Sequence, residues 1–122
     1  MLRKASVFVA AVVVLAVASN IAFAHRSAVP TLKGTVGPGF TISLKRNGVK
    51  VTTLKAGKYL FVISDKANIH NFTLQRGTGG GRALTTVPFV GTKSVSITLT
   101  KGRWKYYCTP HEAIMFGFFT VT

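Results

Sequence analysis

The chain from residue 30 onward consists of short apolar segments separated by turn signals, and this spacing most constrains the fold. Phe40 to Leu44 alternates apolar and polar residues, Asn47-Gly48 is a strong signal for a two-residue hairpin, and Val49 to Leu54 is the expected returning strand. Further strands are expected at Tyr59–Ile63, His70–Gln75, Val95–Leu99, Arg103–Cys108 and Phe118–Thr122. No segment sustains a helical period. The pattern predicts an all-β sandwich of seven or eight strands, with Tyr59–Ile63 buried on both faces.

The first 24 residues have the order of a secretory signal peptide. Two basic residues precede an apolar run from Ala5 to Ala18, and an A-x-A sequence ends at Ala24. We expect cleavage there, which leaves a short segment over 25–32 and one domain over 33–122. An uncleaved membrane anchor is the alternative. Either form exports the domain, because the basic residues precede the apolar run, so we expect a periplasmic or extracellular location.

The ionisable composition excludes several classes of chemistry. The chain has 16 Lys and Arg residues against 2 acidic ones, a formal charge of +14, and a single Cys. Asp65 and Glu112 alone do not supply the paired carboxylates of glycosidases or of two-metal phosphoryl chemistry. One Cys also excludes an internal disulfide and a four-Cys zinc site.

The residues with distinctive chemistry fall in two places, the segment 107–117 and the pair His70-Asn71. The segment holds the only Cys, one His and the only Met beyond the predicted signal peptide. An unpaired Cys is unusual in an exported protein, since that compartment oxidises or pairs thiols. We therefore expect a ligand to occupy the sulfur of Cys108.

Strand parity supports grouping these residues. In the predicted strand from His70, Phe72 shares the face of His70, and in the strand ending at Cys108, Trp104 and Tyr106 share its face. Large apolar side chains identify both faces as inward. His70 and Cys108 are thus expected to project into one interior, at strand ends where loops bring other donors alongside.

The donor set selects a metal. Two imidazoles, a thiolate and a thioether, from His70, His111, Cys108 and Met115, fit one copper ion in a trigonal site with a weak axial Met. Three of these donors also suit zinc. Taken singly, each residue has an ordinary structural explanation, such as core packing for Cys and Met. Their joint spacing favours a copper site.

This pattern resembles the cupredoxins, the blue-copper family of plastocyanin, amicyanin, pseudoazurin and azurin. The resemblance implies a Greek-key β-sandwich that binds one type 1 copper, with His70, Cys108 and His111 as equatorial ligands and Met115 as the axial one. Asn71 matches the family residue that supports the thiolate and ties the two ligand loops together. The C-x-P-H start of the ligand loop resembles plastocyanin and amicyanin, whereas its H-x-x-x-M-x-G ending resembles azurin.

Two expectations concern how such a site is tuned and reached. Pro110 has no N–H, so it cannot donate a hydrogen bond to the Cys108 sulfur, and a thiolate with fewer hydrogen bonds is more electron-rich. The resemblance implies that electrons pass through the ring edge of His111. Ile114 and Phe116 are the expected apolar surface around it.

The expected function is a monomeric one-electron carrier that cycles between Cu(II) and Cu(I). It is not expected to be an enzyme, because four protein ligands leave no open position for substrate. The alternatives are a copper module for storage, delivery or sensing, and a nucleophilic enzyme using Cys108 and His111. The enzyme is weakly supported, since Glu112 is the only nearby acid to orient the imidazole.

The charge indicates a class of partner. Basic residues occur in nearly every segment, which favours redox partners with acidic surfaces or an anionic cell envelope. Nucleic acid is not expected, because no helix or aromatic platform for bases is evident.

One further stretch, residues 76–82, is rich in glycine and begins and ends with arginine. It lacks the G-x-x-x-x-G-K-[ST] pattern of a nucleotide phosphate loop, and no helical segment follows it. We interpret it as a surface loop.

Overall fold

A computed structural model describes residues 27–122 of the protein, so the predicted signal peptide lies outside the described residues. In chain order the strands are β1 (Thr31–Val36), β2 (Ile42–Arg46), β3 (Val49–Lys50), β4 (Thr53–Leu54), β5 (Gly57–Asp65), β6 (Thr73–Arg76), β7 (Arg82–Ala83), β8 (Gly91–Leu99), β9 (Gly102–Tyr107) and β10 (Phe116–Val121). A single 3-10 turn, Thr109–His111, is the helical element of this range. Within residues 27–122, no helix has the length and apolarity needed to cross a membrane.

Two five-stranded sheets pack face to face. Their strand orders are β3-β2-β1-β5-β8 and β4-β10-β9-β6-β7. β1 is parallel to β5 and β4 is parallel to β10, whereas the other neighbours are antiparallel. The predicted all-β sandwich is confirmed. The strand count exceeds seven or eight because β3, β4 and β7 are each only two residues long.

The Asn47-Gly48 hairpin is confirmed, but its returning strand is shorter than predicted. Both residues have positive φ, 50° and 79°, and β2 and β3 pair antiparallel around them. The ladder ends at Lys50, and β4 pairs instead with β10 in the other sheet. Val51 is buried whereas Val49 is exposed, so burying Val51 takes the chain across the sandwich. The prediction of one continuous strand over Val49–Leu54 was therefore wrong.

Strand β5 is buried chiefly on one face. Tyr59, Phe61 and Ile63 are buried in the core, whereas Leu60 and Val62 are only half-buried. The expectation of burial on both faces was wrong, because no third layer covers the outer side of this sheet in the described residues. Each fully buried side chain of this size stabilises the fold by about 1.5–3 kcal/mol relative to exposure.

The position of the Tyr106 ring on the second sheet requires glycine at Gly117 in β10. A Cβ atom there would overlap the ring of Tyr106 on the neighbouring strand β9. Tyr106 in turn stacks on Phe72 with ring centroids 5.8 Å apart. Tyr107, the last residue of β9, pairs with Thr73 at the start of β6 and with Phe116 at the start of β10. One end of the sandwich thus gathers the segments that follow β9 and precede β6 and β10.

Candidate metal centre

Three side chains converge at this end of the sandwich. His70 precedes β6, Cys108 directly follows β9, and His111 lies in the 3-10 turn. The two Nδ1 atoms are 3.1 Å apart, and the Cys108 Sγ lies 3.6 Å from Nδ1 of His70 and 3.5 Å from Nδ1 of His111. His70 and Cys108 are fully buried, whereas His111 is half-buried. The three donor atoms form a nearly equilateral triangle.

The size of this triangle fits one metal ion. A point equidistant from the three atoms lies about 2.0 Å from each, close to ordinary metal–imidazole and slightly short of metal–thiolate bond lengths. Nitrogen and thiolate donors of this kind bind copper or zinc. The sequence-predicted equatorial residues His70, Cys108 and His111 are therefore together in space and positioned for a metal.

Met115 is fully buried and is tied to the other ligand residues through the main chain. Its N–H donates to the carbonyl of His111 at 2.9 Å, and its carbonyl accepts the N–H of Cys108 at 3.0 Å. These two bonds close the loop from residue 108 to 115 on itself. The axial role of the Met115 thioether stays a prediction.

Asn71 connects the two ligand-bearing segments. Its Oδ1 accepts the N–H of Thr109 at 2.7 Å, and its Nδ2 donates to Oγ1 of Thr109 at 3.1 Å. Thr73 adds a contact between hydroxyl groups at 3.0 Å. Asn71 itself is buried, so these bonds are shielded from competing water. The segment that carries His70 is thus held against the turn that carries Cys108 and His111.

The turn after Cys108 directs its main-chain donors away from the sulfur. The N–H of Thr109 is bonded to Asn71, Pro110 has no N–H, and the N–H of His111 donates to the carbonyl of Cys108 at 3.1 Å. None of these three positions has an N–H left for Sγ. This arrangement agrees with the role inferred for Pro110, whose effect on the site is untested.

Phe40 is a site residue that the sequence did not reveal. Its ring lies edge-on to both imidazoles, with centroids 5.4 Å from His70 and 4.9 Å from His111, although the side chain is 56% exposed. The alternation starting at Phe40 placed it in a strand, but β2 begins at Ile42. The Gly-Pro-Gly sequence over 37–39 was the signal for a loop. Phe40 covers the imidazoles on their solvent side.

The predicted electron-transfer surface is apolar and exposed. Ile114 is 64% exposed and Phe116 is 46% exposed, on either side of the buried Met115. The N–H of Ile114 donates to the carbonyl of His111 at 3.1 Å. Phe40 lies against the His111 ring, whereas the ring of Phe116 packs edge-on to that of Phe118.

The two acidic groups of the chain, Asp65 and Glu112, both make contacts within the protein. Burial raises the pKa of Asp65 above its ordinary value, while hydrogen bonds from Thr85 and from the Ala67 N–H, and the nearby His70, oppose that shift. Asp65 ends β5 and is almost completely buried. Glu112, beside His111, forms a 2.8 Å ion pair with Lys105.

We expect Asn71→Ala to lower the free energy of unfolding by about 1–3 kcal/mol, because the N–H of Thr109 loses the buried acceptor that Asn71 provides. Urea unfolding of the metal-free protein measures the change. Gln75→Ala is the matched control, since it removes an exposed side-chain bond to the carbonyl of Gly77. Equal losses in the two variants would contradict the role of Asn71 as a connector.

Comparisons with known proteins point to one class of fold. No protein-family model and no curated protein sequence matches the chain. Among solved structures, auracyanin A, a "blue" copper protein from Chloroflexus aurantiacus, is 18% identical over 78% of this chain and 100% of its own, with a TM-score of 0.53. Reduced rusticyanin is 22% identical over 75% of this chain and 78% of its own, with a TM-score of 0.51. A reduced amicyanin variant is 17% identical over 79% and 86%, with a TM-score of 0.51.

The fold and the donor triangle together define a β-sandwich with a His-Cys-His metal site. The fold is that of the blue copper proteins, as the resemblance to cupredoxins implied.

Proposed function

We propose that the protein is an exported one-electron carrier that holds one type 1 copper ion. The observation that carries this proposal is the triangle formed by Nδ1 of His70, Nδ1 of His111 and Sγ of Cys108. The buried Met115 supplies a thioether within the same loop, and a thioether favours copper over zinc. Copper bound there would supply a Cu(II)/Cu(I) couple.

The surroundings of the triangle favour electron transfer over catalysis. His70, Cys108 and Met115 are fully buried, and Phe40 covers the two imidazoles from outside. These side chains shield the donors from solvent, and His111 alone of the three donor residues is half-buried. The bonds from Asn71 and the closed loop hold the donors in one arrangement. A site that rearranges little on reduction transfers electrons quickly.

Electrons enter and leave through His111 in this proposal. It is the half-buried member of the triangle, whereas His70 and Cys108 are fully buried. The exposed side chains of Phe40, Ile114 and Phe116 provide an apolar contact area next to it. The partner is a redox protein with an acidic surface, met in the periplasm or outside the cell.

Loading the purified protein with Cu(II) tests the proposal. We expect an intense blue colour that bleaches on reduction and returns on oxidation, with the zinc-loaded protein colourless as the control. A colourless Cu(II) protein would contradict the type 1 site. Slow electron self-exchange together with quick copper release to a chelator would instead support a copper-delivery module.

We expect Met115→Gln to retain copper but to lower the reduction potential, because an amide oxygen is a harder donor than a thioether and favours Cu(II). Redox titration followed by visible absorption measures the shift. Ile114→Gln places the same amide on an exposed neighbouring position and is the matched control. If Met115→Gln leaves the potential unchanged, Met115 is not a ligand.

The positive charge predicts how salt affects partner association. With a formal charge of +14 on the full chain, oxidation of the reduced protein by ferricyanide is expected to slow as ionic strength rises. Oxidation by a cationic cobalt(III) complex is expected to accelerate over the same range. Stopped-flow measurements give both rates. Rates that do not change with salt would contradict electrostatic steering.

A further inference from the structure

A groove of about 670 Å³ opens on the side of the sandwich between β8 and the β6–β7 hairpin. Its polar lining comes from Arg76, Arg82, the glycines of the loop between them, Ser96 and Thr98. Trp104 contributes to the floor and lies four residues before Cys108 in an extended strand, which separates the two by about 13 Å. The groove is therefore distinct from the metal centre.

Strand register places both arginines on the inner face of their sheet. Arg82 pairs with Leu74, and Arg76 pairs with Trp104. Leu74 and Trp104 are buried in the core, and directly paired residues share a face. Both side chains consequently start from the inner face of their sheet, and both residues are exposed where they line the groove.

Arg76 is already held in place. Its Nε and Nη2 both donate to the carbonyl of Lys101, at 3.0 Å and 2.5 Å. These bonds fix the plane of the guanidinium and leave Nη1 without a protein acceptor in residues 27–122. Arg82 forms no side-chain hydrogen bond or ion pair within the same residues. Two cationic groups thus face one groove with donors to spare.

The protein has no acidic group to neutralise them. Only Asp65 and Glu112 exist in the whole chain, and Asp65 is buried while Glu112 is paired with Lys105. Neither carboxylate lines the groove. Two guanidinium groups in one groove repel each other, and an anion between them converts that repulsion into two charge-assisted contacts. Any group that neutralises these two arginines therefore comes from outside the chain.

We propose that this groove binds a phosphate group. A phosphate dianion matches two guanidinium forks in charge and geometry, and Ser96 and Thr98 of β8 line the same groove. Gly80 has no side chain, so an anion can approach its main-chain N–H, whereas the N–H of Gly79 already donates to the carbonyl of Arg76 at 3.1 Å. The site differs from a nucleotide phosphate loop, whose sequence pattern residues 76–82 lack. The phosphate is either free or the head group of a phospholipid, and the same donors recognise both.

Titration of the ¹⁵N-labelled protein with inorganic phosphate, at constant ionic strength maintained with chloride, tests the proposal. We expect saturable amide shifts confined to Gly79, Gly80 and Ser96. Arg82→Gln is expected to weaken phosphate binding about tenfold or more. Arg46→Gln is the matched control, because it removes the same charge from a different groove of about 600 Å³. It is expected to change the affinity for phosphate less than twofold.

Vesicles of phosphatidylglycerol, compared with phosphatidylcholine, identify the source of the phosphate. Shifts at the same amides with either free phosphate or anionic vesicles support the site and show which form it takes. Shifts spread over the basic surface, or equal weakening by Arg82→Gln and Arg46→Gln, would overturn it. In that case the role of the two arginines would be to prevent other chains from pairing with the edge of the sheet.

Arg82→Lys keeps the charge if Arg82→Gln does not fold, and is expected to weaken binding because the bidentate fork is lost. Affinity equal to that of the unchanged protein would overturn the proposal.

Discussion

Replacing Cys108 with Ser is expected to abolish the blue colour of the copper-loaded protein. It is also expected to weaken copper binding by more than about 100-fold, which is the largest loss that mutating a residue hydrogen-bonded to a metal ligand usually causes. The thiolate is the only soft anionic donor in the triangle, and its neighbours His70 and His111 are neutral when they bind a metal. A buried hydroxyl at this position stays protonated and offers no equivalent charge. Visible absorption and competition with a copper chelator measure the two effects.

The size match between Ser and Cys isolates the chemistry from the packing. Cys108 is fully buried, so a larger change would also disturb the core. The unfolding free energies of metal-free Cys108→Ser and of the unchanged protein are expected to lie close together, whereas their copper-loaded forms differ. A Cys108→Ser protein that is still intensely coloured would remove the thiolate from the proposed site.

The second large effect is expected from Phe72→Ala, which should lower the free energy of unfolding by about 3–5 kcal/mol. Phe72 is fully buried and its ring stacks on Tyr106 at 5.8 Å. Domains of this size are usually stable by only about 5–15 kcal/mol, so this loss is a large part of the total. Because Phe72 directly follows Asn71, copper affinity is expected to fall as well. Urea unfolding measures the first change and chelator competition the second.

Phe118→Ala provides a matched control. It deletes the same atoms from a side chain that is 41% exposed on the outer face of β10, where it lies 4.4 Å from the guanidinium of Arg103. A loss of about 1 kcal/mol or less is expected. If both variants lose the same stability, Phe72 is not the core anchor that its burial indicates.

The sequence was sufficient for the sandwich because its signals are local. Alternation and turn chemistry act within a few residues, so the Asn47-Gly48 hairpin was correctly placed. His70 and Cys108 do share one interior, as predicted, but strand parity is not the reason, because β6 begins only at Thr73 and β9 ends at Tyr107. Once Cys108 and His111 were assigned to one loop, the grouping of their donor atoms with that of His70 could also be predicted.

The features that the sequence missed depend on distant packing. The change of sheet between Lys50 and Thr53 depends on which strand β4 meets, and β10 lies more than sixty positions away. Phe40 reaches the imidazoles only because the loop before β2 folds over the end of the sandwich. The face that Arg82 occupies follows from pairing with Leu74, which no local pattern reveals, whereas alternation with Leu74 already places Arg76 on that face.

The connection through Asn71 has a thermodynamic consequence for the whole domain. His70 and Cys108 are 38 positions apart in the chain, so an unfolded molecule does not hold both at one metal ion. A metal that binds the folded state alone stabilises it by mass action, by about 2.7 kcal/mol when its free concentration is 100 times the dissociation constant. Metal supply would then govern how long each molecule survives proteolysis, and a molecule that has lost its metal would be cleared sooner.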